Sequence, residues 1–509
     1  MSSAFPPPAP VDHKYFQQRS EPETQGLPSR ALASFLERLK DSDFGLHSLY
    51  LARNGHCMFS LDLPPLSPAS LQRCFSISKS LVSLAIGCLQ EEGQVELGLP
   101  VLDYFPEYEA CVASEFQRHM TVEDLLSMRS CHRRTSYKAQ PQEDWVASFF
   151  SCPPSQRPGT LFAYDSSASH CLAALVEKLS GQQLLDYLRE RFLTALGFSS
   201  EAYFLQDPQG ISMGASGLMA RSTDLLKLGL ALEAASSGLE GPALQRFPRS
   251  YLRQATQLVS PSLHAATTRE ESLGYGYQFW LCRHGGYACY GMGGQYILVY
   301  PSQRLVLSCT ADNQGRRGQT QLLFDALYEE IFPALEDRPL PPCEAGRSRL
   351  EACLENWRLD QPGPASARLE PQKLSQLAIV WNRPYRISKS SDGLEALCFR
   401  RPEATAGQSP PAVLEVSYRG QSYCFPVSLE SGCCLDFPRP GQLAQVTAWI
   451  PAPQHLALRL QVLAEALGSL LLLIRFRPGG LSLHLSKRLE YLYEDLPGVY
   501  EAQLEEAPN

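Results

Sequence analysis

Across residues 77–90 the apolar positions fall at Leu81, Val82, Leu84, Ala85, Ile86 and Leu89, followed by Gln90-Glu91-Glu92 and Gly93. That run predicts a buried helix closed by a glycine. The same periodicity predicts helices over 31–40, 121–128, 167–179, 182–193, 222–234 and 319–330. Alternating stretches predict strands. Leu46 to Ala52, Gly55 and Met58 to Leu61 read as an early hairpin. Late strands are expected over 275–282, 295–300 and 304–311, with a turn from Tyr300 to Gln303 between the last two. Strands at both ends of a helical middle predict an α+β domain whose antiparallel sheet is closed by the two ends of the segment.

Beyond Leu335 the pattern changes. Glu336-Asp337-Arg338-Pro339-Leu340-Pro341-Pro342 reads as a proline-rich linker. After one helix near 346–357, strands dominate: Val413 to Tyr418, a turn at Arg419-Gly420, Tyr423 to Val427, then 446–450, 456–463, 470–476 and 481–485. Pro478-Gly479-Gly480 supplies a further hairpin turn. The expected organisation is a disordered or extended lead-in over 1–28, an α+β domain over 29–335, a linker over 336–345 and a small antiparallel β domain over 346–509.

Composition narrows the function classes. At 509 residues the chain is long enough for several cores, and 44% hydrophobic with 19% charged residues suits a globular protein. The net charge of −8 and scattered basic residues leave no electrostatic footprint for nucleic acid. The first thirty residues hold prolines and charges but no apolar stretch resembling a signal peptide, and the apolar run at Leu470–Ile474 is too short to span a bilayer. The expectation is a cytoplasmic protein with no membrane partner. The sixteen cysteines then read as reduced thiols, since their spacing is irregular and neither Cys433-Cys434 nor Cys131-His132 completes a metal-ligand set.

Three short segments carry chemistry. In Ser76-Ile77-Ser78-Lys79 a hydroxyl and an amine stand three residues apart at the front of the 77–90 helix, so they share a face. The unpaired N–H groups and positive dipole end of that first turn can stabilise a developing oxyanion. Arg157-Pro158-Gly159 leads through a short extended piece to Tyr164-Asp165-Ser166, placing a tyrosine hydroxyl at the mouth of the next helix. The bland alternative is a tyrosine bonded to backbone. In Tyr290-Gly291-Met292-Gly293-Gly294-Gln295-Tyr296, glycines either let a strand edge approach a ligand or merely form a tight turn.

Taken in order, these segments resemble the serine β-lactamase and penicillin-binding-protein superfamily, and within it the class C β-lactamase-related esterases and amidases. That order is Ser-x-x-Lys, then Tyr-x-Asn or Tyr-x-Ser, then a Lys/His-x-Gly strand, matched here by Ser76 to Lys79, Tyr164 to Ser166 and Cys289-Tyr290-Gly291. Met120 to Met128, Ala168 to Gly181, Gly217 to Leu225 and Gly274 to Trp280 are similar to the family's connecting text, so the resemblance covers roughly residues 30–335.

The resemblance implies a β-lactamase/transpeptidase-like fold and a Ser76 acyl-enzyme, with Lys79 as base and Tyr164 as proton relay. The oxyanion hole would use the Ser76 and Met292 N–H groups. Ser166, Cys289, Gly291, Gly294 and Gln295 would support or bind the substrate, with no metal or organic cofactor. Expected partners are a small acyl substrate and at most a second copy of the chain. Two departures matter: Ser166 replaces the asparagine of true β-lactamases, and Cys289 replaces the cation that holds a substrate carboxylate. Arg283 and His284 are the nearby cations, read either as substitutes or as a solvated hairpin end. Neutral esters or amides are therefore expected ahead of β-lactams or D-Ala peptides. The reading from another class is a catalytically inactive binding module.

Overall fold

The computed structural model describes residue 5 and residues 10–139, 143–355, 357, 359, 374–388, 393–401, 412–427, 432–435, 442–489 and 498–505. The chain divides into two compact units, Met1–Trp357 and Arg358–Asn509.

In the first unit, six of the described strands form one antiparallel sheet. They are β1 (Leu46–Arg53), β2 (His56–Asp62), β6 (Trp280–Leu281), β7 (Tyr287–Gly291), β8 (Gln295–Tyr300) and β9 (Leu305–Ala311), in the order β2-β1-β9-β8-β7-β6. The β1–β2 hairpin turns through Asn54 and Gly55, both at positive φ, the conformation a two-residue hairpin demands. Pairing of β1 with β9 brings the two ends of the unit together.

Every position of β1, β8 and β9 is buried, so the sheet is covered on both faces. The main helices are α1 (Ser29–Asp41), α2 (Ile77–Glu91), α3 (Ser166–Ser180), α4 (Ser222–Ser236), α5 (Gln319–Ala326) and α6 (Glu344–Leu354). On one face Gly229 of α4 meets Val306 and Ile297, where a Cβ would come within 3 Å of both. On the other, Tyr296 packs edge-on against Phe324 of α5. Helix α2 is buried along nearly its whole length and lies against α3, which makes it the central post of the unit. A second small sheet pairs β3 (Leu71–Arg73) and β4 (Tyr203–Phe204) with β5 (Leu218–Arg221), and β3 feeds directly into α2.

Four expectations need correction. The stretch 275–282 is no strand: Gly274 and Gln278 sit at positive φ and fold it into a turn, leaving only β6. Strand β7, absent from the hydrophobic pattern and implied only by the resemblance at Cys289 to Gly291, begins at Tyr287. The lead-in is folded from residue 10, because Val11, Tyr15 and Phe16 join the core and Tyr15 packs on Gly55. The proline-rich stretch also belongs to the first unit. Glu336 N–H donates to Gly26 O and Leu340 N–H to Glu23 O, each at 2.8 Å. Helix α6 follows it onto α1, with Lys40 Nζ 2.8 Å from Cys353 O.

The second unit holds ten described strands in one antiparallel sheet. The strands at the two ends of its order, Gln421–Val427 and Gly432–Leu435, lie against each other, so the sheet nearly closes into a barrel. Its interior is filled by Leu414, Phe425, Leu458, Leu472, Phe476 and their neighbours. The turns at Arg419-Gly420 and Pro478-Gly479 carry positive-φ residues. The side chains of Cys433 and Cys434 lie outside the described residues. Among the described residues, no helix is long and apolar enough to cross a membrane.

Candidate active site

Strand β3 and the small sheet aim the chain at the site. Cys74 N–H donates to Leu218 O at 2.9 Å, and Arg73 lies over the Phe75 ring. Phe75 then takes φ +45°, a left-handed conformation that costs a non-glycine residue about 1–2 kcal/mol. This sharp corner leaves Ser76 half-buried at the N-cap of α2. The N–H groups of Ile77, Ser78 and Lys79 bond to the carbonyls of Cys74, Phe75 and Ser76. Among the described residues no such bond takes up the Ser76 N–H.

Lys79 lies one turn on, almost fully buried. Its Nζ donates to Ser76 Oγ at 2.9 Å and to the Ala215 carbonyl at 2.7 Å, and sits 4.9 Å from the centre of the Tyr164 ring. Tyr164 exposes 36% of its surface, but its hydroxyl end is buried and faces Ser76. Burial pushes that phenol well above the ordinary tyrosine range, and the charge of Glu271 pushes it the same way. The three residues with the strongest chemical signal in the sequence are therefore brought together around the Lys79 amine and Ser76.

The Tyr164 loop is held from behind by Asp165, which is fully buried. Its carboxylate caps α3 through Ser167 N–H at 2.8 Å, accepts the Ser167 hydroxyl, and accepts Ser130 Oγ at 3.2 Å. Ser166 is the first residue of α3 and half-buried, and the loop's hydrogen bonds run through its neighbours. In front, Trp280 stacks on Tyr164 at 5.7 Å and 21°.

Strand β7 completes the arrangement. A Cβ on Gly291 would fall 2.4 Å from the Cys74 carbonyl, so only glycine lets this strand end lie against the chain entering Ser76. Met292, Gly293 and Gly294 turn back into β8, with Gly293 and Gly294 at φ +81° and +104°. Gln295 is buried and ties the turn from within, donating to Met292 O at 3.1 Å and Ala311 O at 2.6 Å. Cys289 points the other way, into the core beside Ser80, and burial raises its thiol to about 12. It carries no charge at neutral pH. Arg283 is bound to Glu270 and Asp325, and His284 packs between Tyr328 and Phe332, so neither substitutes for the missing cation.

A family model described as beta-lactamase matches residues 48–328, more than half of the 509. The chain belongs to the β-lactamase family. Among curated relatives, a 6-aminohexanoate-dimer hydrolase from Paenarthrobacter ureafaciens is 22% identical, over 42% of this chain and 59% of its own. Penicillin-binding protein 4 of Amycolatopsis lactamdurans is 28% identical, over 37% of this chain and 48% of its own. The chain thus spans about half of the length of the curated relatives it matches. An octameric penicillin-binding protein homologue from Pyrococcus abyssi superposes with a TM-score of 0.49 at 15% identity, over 93% of this chain and 99% of that one.

Within this β-lactamase-family site, several groups escaped the sequence reading. The Ala215 carbonyl is main chain and carries no residue signal. Gln278 holds the floor together, accepting Ser169 Oγ at 2.6 Å and donating to Leu125 O and Leu126 O. The buried polar residue amid Gly274 to Trp280 was its one trace in the sequence.

Proposed function

We propose that this β-lactamase-family protein is a serine hydrolase that cleaves a small ester or amide through a Ser76 acyl-enzyme. The observation that carries the reading is the Lys79 amine 2.9 Å from Ser76 Oγ and 4.9 Å from the centre of the Tyr164 ring. Ser76 Oγ attacks the acyl carbonyl while its proton passes to Lys79 in the neutral amine form. The C–O or C–N bond then breaks, and Tyr164 delivers a proton to the leaving group as Lys79 reprotonates it. Water attacks the acyl-enzyme by the same path in reverse, releasing the acid and restoring the serine.

Because burial keeps Tyr164 a neutral phenol, it serves as a conduit between Lys79 and the leaving group rather than as a standing phenolate base. The Ser76 and Met292 N–H groups are the proposed oxyanion donors, supported by the contact between Gly291 and the chain before Ser76. Ser166, Gly294 and Gln295 are assigned a supporting role around that pocket. The matched relatives include a 6-aminohexanoate-dimer hydrolase, which favours hydrolysis over the reading as an inactive binding module.

Labelling with a fluorophosphonate probe, with Ser76→Ala as control, tests the proposal. Probe incorporation and turnover of short-chain p-nitrophenyl esters are expected for the wild type and lost in the variant. Equal turnover by both proteins removes the nucleophile.

A further inference from the structure

We infer that Gln278 is a positioning residue for proton transfer to the leaving group, holding the Tyr164 loop at a fixed distance from the helix that carries Lys79. The role rests on the hydrolase reading above and adds to it a residue outside the group of Ser76, Lys79 and Tyr164.

Gln278 is 2% exposed, and each of its polar groups is engaged. Its N–H donates to Leu126 O at 3.0 Å, and its carbonyl accepts Ser80 Oγ at 2.8 Å. Its side-chain Oε1 accepts Ser169 Oγ at 2.6 Å, while Nε2 donates to Leu125 O at 3.1 Å and Leu126 O at 2.9 Å. A polar group left unpaired in the interior is costly, so these bonds hold together as one clamp.

The clamped partners belong to the two sides of the relay. Ser80 follows Lys79 directly in α2, and Ser169 lies in the first turn of α3, which Asp165 caps. The Leu125 and Leu126 carbonyls lead to Met128, which grips the chain on both sides of Tyr164. Met128 O accepts Ala163 N–H at 2.8 Å, and Met128 Sδ accepts Asp165 N–H at 3.3 Å. Trp280, two residues beyond Gln278, stacks on the Tyr164 ring itself. Three paths therefore run from Gln278 to the phenol and one to the amine.

The backbone supplies a second, independent sign. Gln278 takes φ +64°, a left-handed conformation that glycine adopts freely and a side chain disfavours. Gly274 and Gly276 stand in the same segment, yet this corner is occupied by the residue whose amide ties α3 to the 125–128 stretch. Backbone strain kept in place by surrounding bonds is a mark of residues that fix a site.

The test uses two esters of one acid. p-Nitrophenyl butyrate has a leaving group that departs without a proton, whereas ethyl butyrate needs its ethoxide protonated as the C–O bond breaks. Gln278→Gly suits the corner and removes the side-chain bonds. Its kcat/KM, which reports acylation, is expected to fall at least about tenfold further for ethyl butyrate than for p-nitrophenyl butyrate. Ser169→Ala, which cuts only the tie to α3, is expected to shift the same ratio by about threefold in the same direction. The ratio is independent of how much active protein survives, so a loss of stability alone leaves it unmoved. An unmoved ratio in Gln278→Gly, or in Ser169→Ala where the glycine variant does not fold, overturns the positioning role. Tyr164→Phe is the reference, and a selective loss on ethyl butyrate is expected there too. Its absence removes the relay, and the role of Gln278 with it. A ratio that moves in Tyr164→Phe but not in the Gln278 and Ser169 variants removes Gln278 alone.

Discussion

The indole of Trp280 and the phenol of Tyr164 lie nearly parallel, 21° apart with their centres 5.7 Å from each other. The stack fixes a ring that is otherwise over a third exposed, and so fixes where its hydroxyl meets Ser76. Trp280→Ala is expected to lower kcat by about tenfold or more, since small displacements of a positioned group are costly. Thermal unfolding should shift little, because Trp280 is itself only partly buried. Unchanged kcat would show that the stack does not position Tyr164.

Tyr164→Phe keeps the ring, the stack and the contact with Lys79 while removing one hydroxyl. A loss of about 100-fold or more in kcat is expected from deleting a proton-transfer group. Steady-state assay on p-nitrophenyl esters measures it, and a loss under about threefold would end the relay assignment.

Gly291→Ala places a methyl group 2.4 Å from the Cys74 carbonyl. Strand β7 must then retreat from the chain entering Ser76, moving the proposed Met292 donor with it. The expected result is a fall in kcat of about 100-fold, the range seen on losing one oxyanion donor. Retention of full activity would rule out Met292 as a donor.

The unfolded-state pKa of tyrosine is about 10, and burial raises Tyr164, Tyr251, Tyr275, Tyr287, Tyr296 and Tyr300 above it. Above pH 10 the unfolded chain therefore binds fewer protons than the native one, and stability falls as pH rises. Buried thiols such as Cys289, Cys74 and Cys131, each raised to about 12, act in the same direction from about pH 8.5. Urea midpoints should be flat from pH 7 to 8 and decline steeply by pH 11. A midpoint that rises over that interval contradicts the assigned burial.

Nitrocefin carries a carboxylate, and the residue that would hold it is a neutral buried thiol. Its kcat/KM is expected to be at least about 100-fold below that of a neutral short-chain ester. Comparable turnover of the two would restore the β-lactamase reading.

What the sequence disclosed followed from local rules. The Ser76 to Lys79 spacing and the apolar run behind it were enough to place a hydroxyl beside an amine, because a helix makes that geometry compulsory. The hydrophobic pattern missed strand β7, which only the resemblance marked, because Tyr287 to Gly291 is short, lies between glycines and lacks alternation. The reverse error at 275–282 came from aromatic residues with high strand preference, overridden by Gly274 and Gln278 in left-handed conformations. The orientation of Cys289, away from the site and toward α2, depends on the register of β7, which no spacing rule reveals.

The second anchor of Lys79 is the Ala215 carbonyl, a main-chain atom on the segment between β4 and β5. No side-chain replacement at that position can delete it. Replacing the Ala215 side chain therefore leaves the amine anchored as long as the backbone path is kept, and that path is held by Gly214 and Gly217, where a Cβ would fall 2.4 Å and 2.7 Å from its neighbours.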